Sequence, residues 1–146
     1  MEVSDLAVAA LRALLANDID QYTQLLKEMS TDADKRGYAV LLATGFFEAA
    51  DRRFGESASR EDVIDFVADV RSRTERLRDE IEPRTAERVM LAVLDDMNLD
   101  DLAPADIRKH QTLLLAGLVA DERFSPAELD EFLIKARGLA EGTVSP

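Results

Sequence analysis

The sequence predicts an all-α fold, a bundle of about seven helices built from two related three-helix units plus an N-terminal helix. Apolar residues recur at helical spacing along nearly the whole chain, and no run alternates apolar and polar residues as a strand would. A pattern in the first half of the chain also returns in the second half. We expect one domain over residues 1–146, with an internal repeat that covers approximately residues 18–81 and 83–140.

The first three helices are predicted from their apolar faces and caps. Residues 4–16 carry Leu6, Ala10 and Leu14 on one side of a helix. Asp18 can cap a second helix, which opens the first copy of the repeat. A third helix is predicted over residues 32–54, and its middle is apolar nearly all round, so we expect it to be buried.

Four further helices complete the prediction. Residues 59–81 show heptad spacing, which is typical of one helix that packs along another. A fifth helix starts at Pro83, a sixth covers residues 104–123, and a seventh runs from Ser125 to about residue 139. The heptad positions are Val63, Val67, Val70, Thr74, Leu77 and Ile81.

The repeat is clearest where the third and sixth helices end. Residues 50–54, Ala-Asp-Arg-Arg-Phe, are matched by residues 120–124, Ala-Asp-Glu-Arg-Phe. Each segment leads to a serine with an acid three residues later, which predicts a capping box at Ser59 and at Ser125. Extra residues 55–58 lengthen the first turn and make it our candidate for a partner-accessible loop. The residues expected to be most important for the architecture are Phe54, Phe66, Phe124 and Phe132.

The start of the last helix also carries a resemblance to a known family. Residues 120–132 resemble the short Ala-Asp-Gly stretch followed by Glu of TerB-like helical proteins, with Glu122 in place of the glycine. The resemblance is confined to this segment, and we transfer no function from it.

Composition and charge exclude several classes of function. The chain has no cysteine, which removes disulfides, thiolate metal sites and cysteine nucleophiles. Its 30 acidic and 18 basic residues give a net charge of −12, so a nucleic acid would be repelled. The most apolar stretch, residues 38–47, is too short to span a bilayer, and the N terminus does not resemble a secretory signal. We expect a cytoplasmic protein without nucleic-acid or membrane partners.

Repeated carboxylates are the candidate site residues. Asp51 and Asp121 lie near the ends of matched helices, where the helix dipole disfavours an acid, so each is expected to have a compensating contact with a backbone N–H or an arginine. The alternative is a divalent-cation site in which Glu48 or Asp62 from the first copy and Glu128 from the second add oxygen ligands.

Three other residues have structural interpretations. His110, the only histidine, falls at the edge of an apolar stripe and is expected to lie at the edge of the core. Gly45 and Gly117 lie inside apolar helices, which indicates close helix crossings or, alternatively, space for a small apolar ligand.

We expect a non-catalytic protein-interaction or regulatory module that binds another protein through an acidic or groove-like helical surface. A narrower form is an acidic inhibitor or immunity-type protein that blocks a basic partner such as a nuclease. The alternatives are a metal-dependent helical hydrolase that uses the repeated carboxylates, and a homodimer paired through the heptad face of residues 63–81. No catalytic residue and no cofactor are predicted.

Overall fold

The computed structural model describes residues 2–55, 58–95 and 98–143. Over these residues the chain forms eight α-helices and no strand, which confirms the all-α prediction. Among the helices of the described residues, none combines the length and the apolar character that a membrane-spanning segment requires. The helices are α1 Asp5–Leu15, α2 Ile19–Glu28, α3 Asp32–Phe54, α4 Arg60–Ser72, α5 Glu75–Glu80, α6 Pro83–Asp95, α7 Pro104–Glu122 and α8 Pro126–Glu141.

Side-chain caps fix where most of these helices begin. Asp18 accepts a hydrogen bond from the backbone N–H of Gln21 at the start of α2. Ser59 and Ser125 each complete the predicted capping box, at α4 and α8 respectively. Gly142 ends α8 in the left-handed conformation that glycine adopts without a steric penalty. Local hydrogen bonding therefore explains why most predicted boundaries agree with the structure.

The predicted helix over residues 59–81 is wrong, because this segment forms two helices, α4 and α5. Thr74 is extended, and its hydroxyl accepts from the N–H of Leu77 at 3.0 Å, which starts α5 anew. The Arg71 guanidinium donates to the carbonyls of Arg78 and Ile81 at 3.2 and 3.0 Å. The Thr74 cap thus satisfies a backbone N–H at the start of α5, and Arg71 satisfies two carbonyls at its C-terminal end. These bonds stabilise α5 as a separate helix although the heptad pattern continues from α4.

Residue contacts divide the chain into two compact units, and the unit boundaries fall inside α3 and α7. Unit 1 consists of Met1–Gly45 and Val119–Pro146, and unit 2 of Phe46–Leu118. These units do not coincide with the predicted copies of the repeat, residues 18–81 and 83–140. The internal duplication stays a prediction.

In unit 1, the N-terminal segment is held by α8. Arg137 of α8 pairs with Asp5 at 2.9 Å and also donates to the carbonyl of Val3. The N–H of Val3 donates to the carboxylate of Glu141 at 2.9 Å, and the Val3 side chain is fully buried. A hydrogen bond of 2.9 Å from the Thr44 hydroxyl to the carbonyl of Ala136 joins α3 to α8.

In unit 2, α4 packs closely on α7 at Gly117. A Cβ atom added at Gly117 would lie 3.1 Å from Cγ2 of Val70, tighter than an ordinary contact. Nη1 of Arg73 donates to the Gly117 carbonyl at 3.3 Å. The close crossing expected at this glycine is confirmed.

The heptad face of α4 is not a surface of the folded chain. Val63, Val67 and Val70 are all buried, as is Ile81 after α5. The face proposed to pair two copies of the chain is therefore covered by the chain's own residues. The homodimer stays a prediction, and these buried residues of α4 offer it no exposed apolar surface.

Gly117→Val is expected to lower the free energy of unfolding by about 1–3 kcal/mol, because the added side chain would overpack the α4–α7 contact. Urea denaturation followed by circular dichroism measures the change. Val70→Ala should recover part of the loss when combined with Gly117→Val, since it removes the methyl groups that the new side chain meets. Strictly additive effects of the two substitutions would show that Val70 is not the obstacle.

Candidate functional site

A groove in unit 2 lies where α3 ends and α4 begins, and we call it the α4 groove. It encloses about 360 Å³. Two phenylalanines form its floor and three aspartates of α4 flank them, beside one arginine of α3. The lining residues are Arg53, Phe54, Asp62, Asp65, Phe66 and Asp69.

The guanidinium of Arg53 lies against the floor of the α4 groove. The rings of Phe54 and Phe66 meet edge to face, with centroids 5.7 Å apart and planes at 83°. The Arg53 guanidinium carbon lies 5.2 Å from the Phe66 centroid and 5.9 Å from the Phe54 centroid. These distances are within the range of a cation–π interaction, so the two rings form a surface that accepts a guanidinium.

The three aspartates share one face of α4 because their spacings of three and four residues bring them above one another. Asp62 accepts from the N–H of Ser59 at 3.2 Å and so completes the capping box. Asp69 forms an ion pair with Arg73 at 2.7 Å. The carboxylate of Asp65 is exposed and makes no hydrogen bond or ion pair with another residue in the described ranges. It is therefore the carboxylate of the groove that a ligand can reach without displacing an internal partner.

Sequence reasoning did not single out Arg53, Asp65 or Asp69. The available signal was the series of acids at positions 62, 65 and 69 after a capping serine. The sequence could not indicate that the Arg53 side chain lies over the rings of Phe54 and Phe66, beside these acids. The expected partner-accessible loop at residues 55–58 cannot be compared, since Glu56 and Ser57 lie outside the described residues.

The candidate metal ligands are dispersed in role and exposure. Glu48 is buried, whereas Asp51 is exposed, so these two acids do not share a solvent-facing surface of α3. Asp62 and Glu128 serve as the acids of the two capping boxes, and Glu128 accepts from the N–H of Ser125 at 2.9 Å. Asp121 is exposed on α7. Within the described residues, no group of three or more His, Asp or Glu side chains could hold a metal ion.

The contact with a backbone N–H or an arginine that was expected to compensate each repeated aspartate is not found at Asp51, and at Asp121 it stays a prediction. Asp121 has a noncovalent partner, whereas the side chain of Asp51 makes no hydrogen bond or ion pair with any other residue that the structure describes. The divalent-cation site at the five candidate acids stays a prediction with no geometric support in these ranges.

His110 is a buried structural residue of unit 2. Its side chain is 4 % exposed, and Nε2 accepts from the N–H of Glu82 at 3.1 Å. Because an N–H donates to Nε2, Nδ1 carries the proton and donates to the Asp106 carbonyl at 2.8 Å. His110 thereby fixes the residue before α6, as expected for a histidine at the core rather than at a metal or catalytic site.

Glu82 also starts α6 through its own side chain. Its carboxylate accepts from the N–H of Thr85 at 2.6 Å, and this bond lowers the pKa of Glu82 below its usual value. An anion next to the first turn of a helix is favoured by the helix dipole as well.

No protein-family model matches this chain, and neither the curated proteins nor the solved structures contain a significant match.

Glu82→Gln is expected to lower the free energy of unfolding at pH 7 by a few tenths of a kcal/mol, since the group is largely exposed. The carboxylate has a lower pKa in the folded protein than in the unfolded chain, whose value is about 4.3. Its contribution is therefore fully present above that unfolded value and is lost as the pH falls through the folded pKa.

Urea denaturation at pH 7 and pH 3 would measure this difference. Glu131→Gln, a substitution of an exposed acid on α8, is the matched control and should change stability little at either pH. An effect of Glu82→Gln that is as large at pH 3 as at pH 7 would contradict the role of the charge.

Proposed function

We propose that this protein is a non-catalytic protein-interaction module that binds a basic segment of another protein in the α4 groove. The observation that carries the proposal is the position of Arg53, whose guanidinium lies over Phe66 beside a row of aspartates. The chain's own arginine thus illustrates how an arginine from a partner would be held.

A partner's arginine would meet two kinds of contact in this groove. Its guanidinium or its methylene stem can lie on the phenylalanine rings, and its charge can pair with Asp65. A surface ion pair contributes little alone, so the aromatic floor matters to affinity and to the choice of side chain. The combination favours a cationic side chain with a flat or apolar portion over a simple inorganic cation.

The wider charge of the molecule supports a basic partner. Exposed residues of α4 include Glu61 next to the groove acids, and the whole chain has a net charge of −12. Such a field accelerates encounter with basic proteins and opposes encounter with nucleic acids. We propose that the module acts in the cytoplasm, and that an acidic inhibitor or immunity-type protein is the narrower form of this function. No specific observation favours the metal-dependent hydrolase.

Asp65→Asn is expected to weaken binding of a short synthetic peptide that carries four arginines, by about threefold to tenfold at low salt. The peptide should bind more weakly as salt is raised, because the contacts are partly exposed. Fluorescence anisotropy at 50 and 300 mM NaCl would measure both effects, with the peptide labelled. The matched control is Asp20→Asn, which removes the same charge from an exposed position on α2.

Equal weakening by Asp65→Asn and Asp20→Asn would show that the peptide responds only to net charge. A peptide that does not bind the native protein at 50 mM NaCl would rule out the α4 groove as a site for basic segments.

Arg53→Ala is expected to tighten binding of the same peptide, because it vacates the phenylalanine floor. Arg52→Ala is the control, since it removes the same charge from the neighbouring exposed position without uncovering the rings. The gain from Arg53→Ala should exceed that from Arg52→Ala in titrations at equal salt. Identical gains would mean that charge alone matters, and weaker binding by Arg53→Ala would mean that Arg53 organises the floor for the ligand.

A further inference from the structure

A second concave surface lies in unit 1, where α1 and α7 end and α8 begins, and we call it the α7–α8 cleft. It encloses about 340 Å³. Leu15, Val119, Phe124 and Leu129 give it an apolar wall. Among its described lining residues the charged ones are Arg12 and Arg123, both cationic. The charged residues that line the cleft are therefore opposite in sign to the net charge of the chain, which is −12.

The two arginines of the cleft differ in availability. Nε of Arg12 is paired with the carboxylate of Asp130 at 2.6 Å, so its charge is compensated within the chain. The side chain of Arg123 is exposed and makes no hydrogen bond or ion pair with any residue of 2–55, 58–95 or 98–143. Its guanidinium is the one at the cleft that can receive an anion directly.

The backbone of Arg123 is in an unfavourable conformation. Its φ of 53° lies in the left-handed region, which a side chain with a Cβ atom seldom adopts. Where the described chain has a left-handed residue after α3 or at the end of α8, that residue is glycine, Gly55 or Gly142. After α1 it is Asn17, a residue type that tolerates this conformation. An arginine after α7 is thus the exception, and such exceptions concentrate where a side chain is needed for binding.

We propose that the α7–α8 cleft binds a small monocarboxylate with an apolar body of about eight to twelve carbon atoms, a size suited to a cleft at the lower end of ligand-site volumes. The carboxylate pairs with the guanidinium of Arg123, which can donate two parallel hydrogen bonds to it. The apolar body lies against Leu15, Phe124 and Leu129.

The net charge of the protein argues for a small ligand rather than an acidic protein. A macromolecule with enough acids to seek Arg123 would be repelled by a chain of net charge −12, whereas a singly charged small molecule meets far less repulsion. This proposal does not depend on the α4 groove, because every lining residue of the cleft belongs to unit 1.

Octanoate is the probe for this proposal, with octanol as the uncharged analogue and acetate as the analogue without an apolar body. Titrations of the ¹⁵N-labelled full chain, followed by two-dimensional NMR, should show octanoate shifting the amides of Val119, Arg123, Phe124 and Leu129. Octanol and acetate should each bind at least tenfold more weakly, since each lacks one of the two contacts. Absence of these shifts with octanoate, or equal affinity for octanoate and octanol, would overturn the proposal.

Variants at Arg123 separate the role of its charge from that of its backbone. Arg123→Gln should weaken octanoate binding about tenfold, and Arg123→Lys should retain most of it. Arg36→Gln, which removes the charge of an exposed arginine on α3, should leave octanoate binding unchanged. Arg123→Gly should fold at least as stably as the native chain, with an equal or higher Tm, and yet lose octanoate binding. Native affinity in Arg123→Gln or in Arg123→Gly would refute the assignment.

Discussion

Both candidate sites depend on the same interaction, a pair of phenylalanines that joins the end of one helix to the helix after it. Phe54 meets Phe66 between α3 and α4, and Phe124 meets Phe132 between α7 and α8, with centroids 5.7 and 5.6 Å apart. At each turn a capping box fixes the start of the second helix. The aromatic contact sets how the helices approach, and the box sets where the second one starts, so together they determine which side chains border the turn.

The length of the connection then decides what each turn can bind. Four residues, 55–58, separate Phe54 from the capping Ser59, whereas Phe124 directly precedes Ser125. At the longer connection, the rings of Phe54 and Phe66 meet edge to face and Arg53 lies against them. At the shorter connection, the planes of the Phe124 and Phe132 rings are inclined by 37°, and Phe124 lines the apolar wall of the α7–α8 cleft. One local device thus yields an acidic groove in unit 2 and a cationic, apolar cleft in unit 1.

Sequence reasoning succeeded where a feature is local and failed where it depends on distant contacts. Asp18, Ser59 and Ser125 cap helices with neighbouring N–H groups, so their roles follow from spacing alone. The break at Thr74 was not predicted because the heptad pattern continues past it. The short helix after the break is stabilised by Arg71, whose guanidinium donates to two carbonyls at the end of α5. The stacking of Arg53 and the left-handed backbone of Arg123 leave no mark in residue type or period.

The number of acidic residues indicates little about function, because many of them cap helices or form internal ion pairs. Asp62 and Glu128, considered as additional metal ligands beside the repeated Asp51 and Asp121, serve as capping acids, and a cap is sufficient reason for a carboxylate at each of these positions. Asp69 and Asp130 are each paired with an arginine. The charged side chain without an internal partner is Asp65 in the α4 groove and Arg123 in the α7–α8 cleft, among the residues described for each site. Because an unpaired charge beside an apolar surface is where binding gains most from a complementary ligand, these two side chains carry more functional information than the net charge does.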